Sequence, residues 1–366
     1  MPFDLPPFRK LRVGLPVATL ALLAACGGGG GSDAATPHTA YILNENDTVW
    51  TMSEDAGKGT LDLAQNQVNT DWGSKIMVTD PQKRYLYVGN NGGPFTPTIT
   101  TYSLTASDHR PVQLGSGIPA STGAAALAMS PNGTFLYSGG DAGILTFRLT
   151  NGTPTQVGGV LPSGHGVTDL AVDPTGHFLY AVNGYTSIAG TSDDTVRVYS
   201  LDAATGAPTA TGALYATAYD PVAVRVNPNG KAVYVVNLSG QSLSQFTRNA
   251  QDGSLTPQVN LPTGTSSYIG GLTLDRFGAF LYLADPTNGG VKGFKVNGDG
   301  TLSSLGAVFD AHDYPQALAL DPEGGLLFTT NYNNSITAFR VDMSTGRLTY
   351  VGKSPMGGTG KGILFR

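Results

Sequence analysis

Two histidines stand just ahead of short apolar runs. His165 lies in Ser163-Gly164-His165-Gly166, before Asp169-Leu170-Ala171-Val172; His312 lies in Ala311-His312-Asp313-Tyr314, before Leu318-Ala319-Leu320. Imidazole titrates near neutrality, so either side chain can give or take a proton under physiological conditions. Arg225 is a charged residue inside an apolar run, Ala223-Val224-Arg225-Val226. A guanidinium placed there needs a partner, either an acidic side chain such as Asp169 or an anion that it clamps. Lys75, at the head of its own apolar run, is a second cation of this kind. Together these groups suit proton transfer beside a centre that stabilises a developing oxyanion or carboxylate.

Further candidates come from amide- and aromatic-rich loops, namely Asn90-Asn91, Asn183-Gly184-Tyr185 and Asn331-Tyr332-Asn333. Lys75, Asn183, Tyr185, Asp313 and Tyr332 are taken as ligand-binding candidates, with His165, His312 and Arg225 as the catalytic set. The competing explanation for the asparagines is that they end strands by tolerating left-handed backbone. Asp193-Asp194, in the long loop 183–195, is the acidic pair least explained by turn needs. His109 and His177 fall in hairpin and turn positions and are assigned structural roles. Asn297-Gly298-Asp299-Gly300 lacks the further acidic ligands and final glutamate of a calcium loop, so it reads as a turn. No metal or cofactor is expected.

The elements that must position these groups are repeats. Ser130-Pro131-Asn132-Gly133 recurs as Asp80-Pro81-Gln82-Lys83, Asp173-Pro174-Thr175-Gly176, Asn227-Pro228-Asn229-Gly230 and Asp321-Pro322-Glu323-Gly324. Asp275-Arg276-Phe277-Gly278 is a degenerate copy. Each precedes a strand such as Tyr85-Leu86-Tyr87 or Phe178-Leu179-Tyr180, and the interval is roughly 40–50 residues. Small apolar first strands, alternating third strands such as Ile336-Thr337-Ala338-Phe339-Arg340, and hairpin signals complete four-stranded antiparallel units. Units of this length are β-propeller blades, with the first strand innermost.

The chain ends supply the last blade. Ala40-Tyr41-Ile42-Leu43 and Thr48-Val49-Trp50-Thr51 look like second and third strands without a first, and Lys361-Gly362-Ile363-Leu364-Phe365 looks like a first strand with nothing after it. Pairing the two closes the ring. The expected fold is an all-β, seven-bladed propeller over residues 40–366.

Residues 1–26 read as a targeting segment: Arg9, Lys10 and Arg12 precede a short apolar run ending in Leu23-Ala24-Ala25-Cys26. This ending resembles the lipobox of bacterial lipoproteins, which implies an acylated Cys26 as the mature N-terminus. Cys26 is the sole cysteine, so no internal disulfide can form. By the same resemblance Gly27, rather than aspartate, favours the outer membrane. Residues 27–39 read as a flexible glycine- and serine-rich tether, with His38 exposed and inert. The net charge is −5, charged residues are 13%, and removing the first 25 residues leaves the remainder more acidic. That composition argues against nucleic acid as a partner. A monomer, lipid-anchored in the cell envelope, is expected.

The Asp/Ser-Pro-x-Gly turn, the aromatic second strand and the Gly-x-Leu signal before the fourth strand (Gly253-Ser254-Leu255, Gly300-Thr301-Leu302, Gly346-Arg347-Leu348) resemble the lactonase-type seven-bladed propeller family. The resemblance spans about residues 40–366. That family includes propeller 6-phosphogluconolactonases and carboxymuconate-lactonizing cycloisomerases. It implies lactone hydrolysis or closure, with a Pro-His pair opening an innermost strand. Here the matching positions are Pro221-Val222 and Pro315-Gln316, and His165 lies shortly before the matching Thr168. The departure favours a propeller that binds a small molecule or protein at its channel mouth. Lactone hydrolysis, with His165 or His312 replacing the missing histidine, is the alternative.

Overall fold

Five of the six repeat turns are tied to the following strand by their own first side chain; in the sixth, Asn227 accepts Asn229 N–H and donates to Gly278 O, both at 3.0 Å. The Asp80 carboxylate accepts the N–H groups of Arg84 and Tyr85 at 2.6 and 2.7 Å, Ser130 Oγ accepts Phe135 N–H at 2.9 Å, and Asp173 accepts Phe178 N–H at 2.8 Å. Asp321 accepts Leu326 N–H at 2.7 Å. The degenerate copy obeys the same rule: Asp275 accepts Phe280 N–H at 2.6 Å although Arg276 stands where the others have proline. The fourth turn residue has positive φ, 76° at Gly176 and 81° at Gly324, which glycine adopts without strain. The turn therefore fixes where the second strand starts, and with it the register of the blade.

The computed structural model describes residues 38–55, 57–184 and 193–366. Cys26 and the rest of 1–37, with Tyr185, lie outside them. The described strands form seven antiparallel sheets. Blades one to six have the innermost strands Ser74–Thr79, Ala126–Met129, Val167–Val172, Pro221–Val226, Leu272–Leu274 and Pro315–Leu320; in blade three Phe178–Asn183, Thr195–Leu201 and Pro208–Ala216 follow outwards. In blades one, four and five the outermost strand is broken into two short pieces that pair with the same third strand. Blade seven takes its innermost strand, Gly360–Phe365, from one end of the chain and the other three, starting with Thr39–Asn44, from the other. Ala40 faces Phe365 and Ile42 faces Ile363 across that junction, as the sequence suggests.

Burial occurs between blades. Each of seven apolar clusters mixes residues of two neighbouring sheets; one joins Phe135 and Tyr137 of blade two to Leu170 and Leu179 of blade three. A single blade cannot bury its faces alone, which is why the repeats must close into a ring. The second-strand aromatics also lock blade to blade by hydrogen bonds. Tyr137, Tyr180, Tyr234 and Tyr282 donate their hydroxyls to Gly206, Gly253, Gly300 and Gly346 O at 2.7–3.0 Å, each in the hairpin of the next blade. The aromatic strand and the Gly-x-Leu signal are two halves of one contact. Blades three and four add a fully buried ion pair, Arg248 with Asp173 at 2.6 Å.

His38 departs from the expectation of an exposed tether residue. Strand Thr39–Asn44 starts directly after it, and its backbone carbonyl accepts Glu54 N–H at 2.8 Å. Pairing with the next strand turns its side chain against blade six, where the imidazole contacts Glu323 and is only 14% exposed. Glu54, opposite it, is buried. Burial pushes the Glu54 carboxyl up to about 7; Asp321 adds to this and His38 opposes it.

Candidate functional site

The innermost strands carry a repeated irregularity at their first turn of pleat. In blade three Val167 pairs with Asn183 and Asp169 with Val182, leaving Thr168 as an extra residue. Lys75, Val222, Gln316 and Lys361 occupy the same bulged position in blades one, four, six and seven. A bulge re-aims side chains and ends regular pairing, and bulges are frequent beside binding sites. These five positions ring the end of the channel where the innermost strands begin. Two of them are lysines, and they belong to adjacent blades.

Both lysines line the central cavity, whose volume is about 610 Å³. Its charged lining is Lys75, Lys83, Arg225, Arg276 and Lys361 against Asp169 and Asp321. A chain of net negative charge thus gathers cations along its axis, and low-dielectric walls strengthen their field. Lys361 donates to Ser74 O at 3.2 Å. Burial holds Lys361 below the usual lysine range; Asp47 pulls it back up and Lys75 pushes it further down. Deeper in the channel Arg225 pairs with Asp169 at 2.6 Å. Asp169 also accepts Val224 N–H at 2.9 Å. The inter-blade salt bridge expected from sequence is therefore formed.

The two histidines share the rim but not the channel. His165 Nδ1 lies 2.5 Å from Asp193, which also accepts from Arg197 at 2.9 Å. Burial raises the Asp193 carboxyl, but the bonds from His165 and Arg197 outweigh it and hold it below the usual range. Arg197 is on the third strand, so this triad sits over the body of blade three. His312 pairs with Asp310 at 2.9 Å, and its ring packs edge-on against Tyr350 on an outermost strand, 4.7 Å between centroids. Neither lines the channel cavity. The loops before the innermost strands swing outwards, and a residue three or four places upstream is carried off the axis.

The other candidates divide. Asn183 is fully buried and spends its amide on the Ser163 and His165 carbonyls. Asn90, Asn237 and Asn331 bond the first residue of the third strand of their own blade, Thr98, Ser242 and Ser335, so these asparagines serve to end the second strand and hold the blade. Asp313 is buried and bonded to Lys353 and Ser335 at 2.6 Å. Burial raises its carboxyl, but those bonds hold it below the usual range. Tyr332 is exposed. It belongs to a set that sequence reasoning did not assemble: Trp72, Phe95, Tyr219, Tyr268, Tyr314 and Tyr332 are all exposed, in loops at the rim where the innermost strands begin. Trp72, Tyr219, Tyr268 and Tyr314 stand in loops that enter an innermost strand, and Phe95 and Tyr332 in loops that leave a second strand; that shared rim was the available signal. Lys361 was also missed, although Gly360-Lys361-Gly362-Ile363 superposes in register on Ser74-Lys75-Ile76-Met77.

A family model described as "Lactonase, 7-bladed beta-propeller" matches residues 141–269 and 261–365. A 6-phosphogluconolactonase of Yersinia pestis (strain Pestoides F) is 28% identical over 138 residues, covering 36% of this chain. The match spans only 41% of that relative's length. Among solved structures, a periplasmic gluconolactonase of Pseudomonas aeruginosa superposes with a TM-score of 0.74 at 16% identity, covering 90% of this chain and 99% of the other. A protein of Bacteroides fragilis NCTC 9343 gives the same TM-score at 18% identity, with 93% and 100% covered. At such identities the superpositions establish the fold. With the family match over most of the ring, the chain belongs to the seven-bladed β-propeller lactonase family.

Proposed function

We propose that this propeller binds a small anionic molecule at the channel mouth marked by Lys75 and Lys361. The observation that carries the reading is the pair of lysines at equivalent bulge positions of adjacent blades, both lining the cavity. Two cations held side by side repel one another unless an anion bridges them, so the arrangement favours a carboxylate or phosphate. The exposed aromatics around the mouth offer flat apolar faces for a ring such as a sugar. Aldonic acids and their phosphates combine these features, and the gluconolactonase names among the similar proteins support that class.

Titration calorimetry with gluconate and 6-phosphogluconate tests the reading. A charge-assisted hydrogen bond contributes about 1.5–3 kcal/mol, so Lys75→Met and Lys361→Met should each weaken binding by about 10–100-fold. Unchanged affinity in both variants overturns it. Lactone hydrolysis at the same mouth is the second reading, favoured by the family itself. Lys361, held below the usual lysine range, would act there as general base. Turnover of an aldonolactone above buffer, abolished by Lys361→Met but not by His165→Ala or His312→Ala, would select it over binding alone.

The envelope location rests on the Leu23-Ala24-Ala25-Cys26 pattern. Palmitate fed to cells should label the wild-type chain and not Cys26→Ala; equal labelling of the two rejects the anchor.

A further inference from the structure

The far end of the ring holds a second constellation, which includes Asp321 of the cavity lining. His38, Asp321 and Glu323 each bring one ligand atom within 4.8 Å of the others. His38 precedes the first described strand of blade seven, whereas Asp321 and Glu323 belong to the Asp-Pro-x-Gly turn of blade six. That turn lies at the opposite end of the channel from Lys75 and Lys361.

A fourth group points to what is missing there. Thr39 pairs with Ser53, so Glu54 stands across from His38, and the Glu54 N–H bonds to the His38 carbonyl. Directly opposed residues of an antiparallel pair project from the same face, about 5 Å apart at Cβ. Glu54 is 2% exposed, and its Oε2 is buried with no hydrogen-bond partner. Leaving a buried carboxylate oxygen unpaired is costly. The polar groups that share its surroundings are two further carboxylates and one imidazole, a set richer in acceptors than in donors. Asp321 accepts Leu326 N–H at 2.7 Å, which orients the carboxylate.

We propose that His38, Glu54, Asp321 and Glu323 form a binding site for a divalent first-row transition ion. One imidazole nitrogen with carboxylate oxygens is a donor set for zinc or manganese; a calcium site would use oxygen alone. The ion would take the place of the direct contact between His38 and Glu323 and give the orphaned Glu54 oxygen a partner. Glu323, with 62% of its side chain exposed, provides the way in. The consequence is mechanical. The ion would bind the start of the seventh blade to the turn of the sixth, at the sector where the two ends of the chain close the ring.

The test uses the full chain without a polyhistidine tag, dialysed against zinc chloride, manganese chloride or calcium chloride, with bound metal measured by mass spectrometry. One equivalent of zinc or manganese per chain is expected, with a rise in Tm of about 5 °C at saturating ion. Glu323→Gln changes an exposed side chain and should leave the fold intact while weakening metal binding at least about tenfold and cancelling the Tm rise. Glu54→Gln, nearly isosteric, should do the same. The proposal is overturned if no stoichiometric ion is retained, if calcium binds more tightly than zinc and manganese, or if both variants bind as the wild type does. Gluconate binding should be the same in Glu323→Gln and wild type, so this outcome and that of the channel mouth are separable.

Discussion

Removing Gly360–Arg366 should unfold the propeller. The deleted strand is the innermost of blade seven and pairs along Ala40–Asn44. Ile363 and Phe365 are each 5% exposed and belong to the cluster that joins blades six and seven; the Phe365 ring lies 5.2 Å from that of Phe328. Each such side chain contributes about 1.5–3 kcal/mol through burial. The deletion also strips one of the two hydrogen-bond ladders of Thr39–Asn44, which is buried along its whole length. The combined loss is several kcal/mol against a total of about 5–15 kcal/mol for a folded domain. Thermal unfolding followed by circular dichroism should show no cooperative transition, or a Tm lowered by well over 10 °C. A truncated chain that melts with the wild type would show that the ring closes without this strand. Phe365→Ala is the milder version, expected to cost about 3–5 kcal/mol.

The architecture was legible because it is written several times over. A turn with Asp, Ser or Asn at its first position and positive φ at its fourth leaves a local signature, and six copies fix the period. Even the copy with Arg276 keeps Asp275, the residue whose carboxylate ties the turn. Ring closure was legible for a related reason: the unpaired strands at the two ends had complementary places in the repeat. The start of the fold was harder. His38 follows a glycine-rich stretch and carries no local pattern of its own, and its partners Asp321 and Glu323 are distant in sequence. Local composition cannot reveal a contact made only when the ring closes.

The site was legible in part. Charge inside an apolar innermost strand is anomalous locally, so Arg225 and its partner Asp169 could be read from sequence, and so could Lys75. The histidines were placed at the right end of the channel, but their distance from the axis depends on loop course, which spacing does not encode. Asn183 illustrates a different limit. A strand-ending asparagine and a ligand-binding one look identical until the amide is seen to bond Ser163 and His165 carbonyls. The bulge position is where sequence and structure meet most usefully. The resemblance expects a histidine there, and this chain puts Lys75, Thr168, Val222, Gln316 and Lys361 in its place.

Arg225→Met should make stability strongly dependent on pH. Asp169 is 1% exposed and its carboxylate is held by the Arg225 guanidinium and by Val224 N–H. Burial already pushes its carboxyl upwards, with Arg225 the foremost opposing influence. Removing the guanidinium leaves burial opposed by backbone N–H groups alone, so the carboxyl rises further. In the unfolded chain an aspartate titrates near 3.9. Between that value and the raised one the folded variant holds a proton that the unfolded chain has released. Its stability is therefore greatest below about pH 4 and is lost as the pH rises through the folded value. Near neutrality the loss relative to wild type should reach about 3 kcal/mol, the lower end for a broken buried pair, because Arg225 itself is 31% exposed. Urea midpoints at pH 5 and pH 8 measure it: the gap between variant and wild type should widen at the higher pH. The double variant Asp169→Asn/Arg225→Met keeps an acceptor for Val224 N–H without a charge, and it should recover most of the loss at pH 8. A penalty independent of pH, or one that the asparagine does not relieve, would mean that Arg225 supports the channel by packing and not by neutralising Asp169.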